Sequence, residues 1–367
     1  MPSADVLTFE ALLEPIPGPS PAGVDLRVDL SPTSLYQLIK EDRKSARQTE
    51  TRIDRRDPDV TQAPDWRPLV ERATRVLREQ SKDLEVAAYL IEGLVRVEGF
   101  AGLRDGYRLA SELVDRFWDQ RLYPAPDEPD IESRFAHMLQ LNGLDAAGAL
   151  VVPIAKIPLT EQTPSGEYSR AQHQEATTLA KMADGRVRQA RIDAGATTLE
   201  TIQKAVAETS TEFYITLFDD LAAAEREFLR FCEVFKAKSG YDPPAASIRE
   251  ALESTRLLLK DLTRSRQLQK APVTPNVEAS QDGSAPSTEK SMSNGQIASR
   301  DAALEQLLKI AAFFRQSEPQ SVIPYALEQV VHWGRLSLPE LLSELISEEG
   351  TRKSVFKQVG IAPSKPS

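Results

Sequence analysis

The clearest pattern of apolar and polar positions begins at Asp65. From there Trp66, Leu69, Val70, Ala73, Val76 and Leu77 recur at three- and four-residue steps, which lays one apolar stripe along a helix. A second helix is predicted over Asp83 to Val97. Its Leu84, Ala87, Ala88, Leu90, Ile91, Leu94 and Val95 wrap more than one face, so it should be central and buried. Glu98-Gly-Phe-Ala-Gly102 turns the chain into a third helix with Leu103, Tyr107, Ala110, Leu113, Val114 and Phe117 inward. Pro124, Pro126 and Pro129 stop it. Ser133 to Gly148 is expected to add another helix before an extended run at Leu150-Val-Val-Pro-Ile154.

Upstream of Asp65 the pattern is weaker. Residues 5–14 suit a short helix, and Pro15-Ile-Pro-Gly-Pro-Ser-Pro-Ala-Gly23 forbids regular structure. Thr33 to Gln48 is read as helical. The stretch from Arg43 to Asp59 has almost no apolar residue, so most of it is expected to be a mobile connection.

Downstream, Leu217, Leu221, Ala224, Phe228, Phe231 and Phe235 alternate four- and three-residue steps, and Ile248, Leu252, Thr255, Leu259 and Leu262 continue that seam-like spacing. Gly240 and Pro243-Pro244 between them predict an antiparallel hairpin with arms of roughly 40 Å, a spacer or docking arm. Residues 271–297 contain no leucine and no aromatic residue and are read as a flexible tether. Helical patterning resumes with Leu304, Leu307, Leu308, Ala311 and Phe314. It continues through Ile323, Tyr325, Leu327, Val330 and Val331, and then after a capping-box start at Ser337-Leu-Pro-Glu340. A unit that small tends to gain stability by association. The expected architecture is therefore all-α: a helical domain over 1–165, a middle helical region with a long hairpin over 166–270, a linker over 271–297, and a helical oligomerisation domain over 298–367.

A formal net charge of −10 argues against general nucleic-acid binding, because neutralising phosphates needs a concentrated basic face. The first 20 residues hold no Lys or Arg, unlike an export signal, and the longest uncharged apolar stretch, Ala146 to Ala155, is too short to span a bilayer. No membrane insertion is expected. The single cysteine, Cys232, cannot make an internal disulfide, which suits a reducing compartment, so the cytoplasm is the expected location.

The search for chemistry finds no phosphate-binding glycine loop and no paired-histidine zinc motif. Gly18-Pro-Ser-Pro-Ala-Gly23 imitates a hydrolase elbow, but its second glycine is one position late and prolines break the strand-turn-helix context. Ser287-Thr-Glu-Lys290 and Ser354-Val-Phe-Lys357 lack the partner motifs of serine-lysine acylases. His137, His173 and His332 lie in separate segments without a second ligand at metal spacing, and Cys232 is read as a buried inert thiol. Trp66, Trp118 and Trp333 are candidate interface anchors, with core packing favoured for Trp66. Cations from Arg43 to Arg56 are interleaved with acids, which reads as a solvated, screened segment. No catalytic residue, metal or cofactor is expected.

Taken in order, several segments resemble the ImpA N-terminal domain family, the TssA-type components of bacterial type VI secretion systems. These are Leu12-Leu-Glu-Pro-Ile-Pro-Gly-Pro-Ser-Pro-Ala-Gly-Val-Asp-Leu-Arg27, Asp65-Trp66, Ser81-Lys-Asp-Leu84, Glu98-Gly-Phe-Ala-Gly-Leu-Arg-Asp-Gly106, Phe117-Trp118 and Tyr123-Pro124. The tail, with Phe313-Phe-Arg-Gln-Ser-Glu-Pro-Gln-Ser321, Tyr325, His332-Trp-Gly334 and Leu338-Pro-Glu-Leu-Leu342, resembles one subgroup of that family, departing at Gln320 and Val322. The resemblance implies an assembly component that contacts baseplate, tube and sheath proteins, helps coordinate tube and sheath polymerisation, and forms a ring-shaped homo-oligomer with sixfold-related symmetry. Phe314, Arg315, Glu318, Pro319, Ser321, Tyr325, Trp333, Leu338 and Leu342 are its candidate interface residues here. The alternative is a helical adaptor for a chaperone or ATPase, using the hairpin as its arm.

Overall fold

The periodic stretch after Asp65 becomes three successive helices packed face to face, and everything nearby is arranged around the third. In the computed structural model, residues 1–125, 130–144, 147–264, 300–317, 323–337, 340, 341 and 344 are described. Contacts divide the chain into Met1–Thr274 and Pro275–Ser367. Among the described residues there is no strand, only isolated bridges such as Gly23 with Ser81.

The first unit runs α1 (Phe9–Leu13), α2 (Leu35–Asp54), α3 (Arg67–Glu79), α4 (Leu84–Val97), α5 (Gly99–Phe117), α6 (Ile131–Arg134) and α7 (Ala136–Asn142). It continues through α8 (Val151–Lys156), α9 (Arg170–Ala180), α10 (Gly185–Asp193), α11 (Leu199–Glu208), α12 (Thr211–Ser239) and α13 (Ala246–Leu262). Asp83 caps α4, its Oδ1 accepting from the backbone N–H groups of Glu85 and Val86 at 2.8 and 3.3 Å. Every residue of α4 from Leu84 to Val95 is buried, as its apolar wrap requires.

α5 is covered by α4 on one side and by α12 on the other. The aromatic seam of α12 closes on it: the Tyr107 ring lies 5.0 Å from Phe228 and 5.7 Å from Phe231. Phe235 completes a cluster with Trp118 and Phe135, at 6.0 and 5.4 Å. Aromatic side chains buried in such edge-to-face pairs contribute more than their area alone, by about 1 kcal/mol a pair. The two seam helices are consecutive, joined across Gly240 to Ala245, but they are not a free-standing arm. The apolar face of α12 is spent on α5.

A polar clasp ties the same helices to the beginning of the chain. Asp220 of α12 accepts from the backbone N–H and hydroxyl of Ser3 at 2.8 and 2.6 Å, and Asp105 of α5 accepts from the Val6 N–H at 2.6 Å. Arg104 donates to the carbonyls of Ser3 and Ala4 and pairs with Asp105 at 2.6 Å and Asp220 at 3.2 Å. These buried charges are offset by one another and by backbone groups, which keeps their desolvation from opening the interface.

Three local expectations are corrected. The mixed-charge stretch from Arg43 is not a mobile connection: α2 runs unbroken to Asp54, capped by Ser34, with Tyr36, Ile39 and Ala46 buried. Its inward face is completed by ion pairs rather than by apolar side chains. Leu150 to Ile154 is not extended but forms the start of α8, where Pro153 is tolerated because first-turn N–H groups need no intrahelical acceptor. The single helix expected from Ser133 is replaced by two short ones, Ile131–Arg134 and Ala136–Asn142, broken at Phe135.

In the second unit, α14 (Arg300–Ser317) and α15 (Ile323–Arg335) pack on each other. Ala311 and Val331 are buried, and Gly334 sits where a Cβ would stand 2.9 Å from Leu304.

The α4–α5 crossing depends on Gly102, where an added Cβ would stand 2.3 Å from the carbonyl oxygen of Leu94. Alanine in a helix normally gains about 1 kcal/mol over glycine, but a backbone clash that close forces the helices apart. Gly102→Ala is expected to lower stability by about 2 kcal/mol, read as a lower midpoint in urea denaturation. A raised midpoint would contradict the close approach.

Candidate functional site

Of the tail residues singled out in the sequence, Phe314, Arg315, Tyr325 and Trp333 are described. Glu318, Pro319, Ser321, Leu338 and Leu342 lie outside the described residues. Arg315 of α14 pairs with Glu328 of α15 at 2.8 Å and stands 5.6 Å over the Tyr325 ring, so these three act together to fix the helix pair. Trp333 donates its indole N–H to Glu344 at 3.2 Å, and the same carboxylate receives Gln329 and approaches His332 at 3.1 Å. Glu340 accepts from the backbone N–H of Ser337 at 2.8 Å, as the capping box anticipates. Phe314 is half-buried. Two helices cannot cover both of their apolar faces: Phe313 is 64% exposed, Tyr325 65%, Val330 46% and Ile310 45%. Side chains of that size left in water on one small unit are suited to meet another surface.

The first unit presents a different surface, built by α2 over α4. Glu92 of α4 is fully buried, and Arg43 and Arg47, one turn apart on α2, both donate to it, Arg43 at 2.7 Å. Arg96 holds Glu50 of α2 through two bonds of 2.6 and 3.0 Å while lying 4.0 Å over the Trp66 ring, whose N–H also donates to Glu50 at 3.0 Å. Asp42 pairs with Arg72 of α3, and Asp54 with Lys156 of α8 at 2.6 Å. Three of the four acids of α2, all but Glu41, are thus drawn to cations on neighbouring helices, while many of its own cations remain on the outer face. Two turns earlier on α4, Glu85 binds Arg27, Tyr36 at 3.0 Å and Tyr89 at 2.5 Å, with His137 at 3.5 Å. Burial would raise the Glu92 carboxyl, yet the arginines beside it hold it below its ordinary value; in Glu85 the Tyr89 hydroxyl and Arg27 do the same.

The remaining reactive side chains serve the packing. Lys82, fully buried, donates to the carbonyls of Leu12 and Leu77 at 2.7 and 2.8 Å, and burial pushes its pKa down to about 8. Burial pushes the half-buried Cys232 thiol up to about 12, so it is held protonated and unreactive at neutral pH. Burial lowers both His137 and His173. Among the described residues no group of three or more His, Cys, Asp or Glu is placed to hold a metal ion. Sequence reading missed Glu92, Lys82 and the α2 pairs. The available signal was the Arg43, Arg47, Glu50 spacing, which puts all three on one helical face.

Glu92→Gln leaves Arg43 and Arg47 without their counter-charge beside a buried amide. It is expected to cost about 3–5 kcal/mol near neutral pH. A carboxylate held below its unfolded pKa near 4.5 contributes stability above that pH and loses it as pH falls through the folded value. The variant should therefore also show a flatter loss of stability below pH about 4.5, in urea denaturation repeated across pH.

Residues 13–143, from α1 to α7, match the family described as ImpA, N-terminal, type VI secretion system. The type VI secretion system component TssA1 of Pseudomonas aeruginosa strain PAO1 is 26% identical over 357 residues, covering 94% of this chain and 96% of its own. A solved structure, the N-terminal domain including the conserved ImpA_N region of the TssA component from Burkholderia cenocepacia, aligns with a TM-score of 0.60 at 26% identity. It covers 73% of this chain and 98% of that one. Among the described residues no helix is long and apolar enough to cross a membrane. With residues 13–143 matching the ImpA domain in sequence and the likeness to TssA1 carried nearly end to end, the chain is similar to the TssA components of type VI secretion systems in sequence and, over 73% of its length, in fold.

Proposed function

We propose that this chain is an assembly scaffold of a type VI secretion system that works by contact alone. It would bring baseplate, tube and sheath proteins together in the cytoplasm without turning over a substrate. The observation that carries this reading is the division of labour between the two units. The first unit spends its buried ionisable groups on one another and on backbone carbonyls, as Glu92, Arg104 and Lys82 do. The second leaves Ile310, Phe313, Tyr325 and Val330 in water. A surface of that kind supports self-association, and a closed ring of copies, sixfold-related in this family resemblance, satisfies such a surface without leaving open ends. Copies joined through one unit would present many first units at high local concentration, which converts weak individual contacts into firm ones.

The full chain is expected to form a defined oligomer in multi-angle light scattering, and Phe313→Asp with Val330→Asp to dissociate it while the helical circular dichroism of the first unit persists. A wild-type chain that stays monomeric at every concentration would remove the self-assembly part of the proposal. Purified baseplate, tube and sheath subunits should be retained by the wild-type oligomer and lost, or held more weakly, by the dissociated variant.

A further inference from the structure

The outer face of α2 carries more positive charge than its sequence suggests. In sequence order its acids and bases alternate and would screen one another. In space, Asp42, Glu50 and Asp54 are turned to Arg72, Arg96 and Lys156 on α3, α4 and α8. That leaves Lys40, Arg55 and the adjacent Arg56 with no carboxylate within ion-pair distance among the described residues. Lys44 has only Glu41, at 3.6 Å with both side chains more than 60% exposed. Arg43 and Arg47 share the single charge of Glu92, which Arg96 also approaches at 3.8 Å. Three arginines therefore face two carboxylates, Glu92 and Glu50, and one positive charge is left over.

These cations line shallow basins that follow one another. A depression of about 370 Å³ holds Lys40, Arg43 and Lys44 with one acid, Glu41. The next contains Arg43 and Lys44 again with Arg47, Arg52 and Arg55, of which Arg52 is paired with Asp57. Arg56 then shares a third with Arg191 of α10 and one acid, Glu175. From Lys40 to the end of α2 at Asp54 this trough runs roughly 21 Å, and Arg55 and Arg56 follow just beyond it. α10 buries none of its residues and presents Arg186, Arg188 and Arg191 to solvent, so this end is unpartnered within the unit.

We propose that this trough is a docking site for a carboxylate-rich polypeptide segment of another protein. Charge complementarity selects that occupant. A short acidic segment meets only the local field of the trough, where basic groups outnumber acids. A nucleic acid carries a continuous line of phosphates and would be opposed over its length by a protein whose net charge is −10. The proposal does not depend on the tail or on oligomerisation, since every residue in it belongs to the first unit.

The test uses the full chain and a fluorescein-labelled poly-glutamate peptide of about 20 residues, followed by anisotropy. Saturable binding is expected, and it should weaken about tenfold or more when Lys40→Glu, Lys44→Glu and Arg55→Glu are combined. A control set of equal charge change elsewhere, Lys204→Glu with Lys236→Glu and Lys260→Glu, should have a much smaller effect. Circular dichroism of both sets should match the wild type. The proposal is overturned if the peptide does not bind, if the two sets weaken binding equally, or if duplex DNA displaces the peptide at matched charge.

Discussion

Closure of α12 over α5 is the contact on which the first unit rests. From Phe100 to Phe117, α5 meets water only along Arg108, Glu112, Asp115 and Arg116, and it buries glycines, aromatics, Arg104, Asp105 and Ser111 alike. A helix with so wide a buried face needs cover on more than one side, and α4 covers just one. The seam of Phe228, Phe231 and Phe235 supplies the other. Once α12 is in place, Asp220 meets Arg104, Arg230 meets Glu112, and the opening residues of the chain are held by the same carboxylates. Apolar area supplies the attraction, and the buried ions fix the register in which it is gained.

That arrangement explains what was legible in the residues and what was not. α3, α4 and α5 were legible because apolar periodicity reports directly on which side of a helix is covered. The seam of α12 was equally plain as a seam, but spacing says nothing about the partner, and a neighbour in sequence, α13, was the natural assumption. The second half of α2 was hidden for the opposite reason. Beyond Ala46 its inner face is completed by charged side chains, Arg47, Glu50 and Asp54, that pair across to α4 and α8, so the pattern looked like a solvated loop. The Glu92 cluster could have been found by asking why a glutamate sits in the middle of an otherwise apolar helix. No comparable question would have exposed Lys82, since a lysine before a helix is ordinary until the carbonyls around it are seen. In the tail, spacing could not show that Arg315 stands over the Tyr325 ring within the unit.

Two surfaces of unlike physics follow. The second unit exposes aromatic and aliphatic side chains, whose association strengthens with cosolutes that disfavour apolar hydration and is little affected by simple salt. The α2 face exposes cations, whose attraction decays over about 10 Å at moderate ionic strength. A component of a large assembly that uses one kind of contact to hold copies of itself and the other to meet partners could keep the first while releasing the second.

The clasp between the start of the chain and α12 has a consequence for how the protein is made. Arg104 and Asp220 are separated by 116 residues, so during synthesis α5 emerges on the order of ten seconds before the helix that shields it. During that interval the side of Tyr107 that Phe228 and Phe231 later cover is open in the nascent chain, and it stays an adhesive apolar surface until α12 has left the exit tunnel.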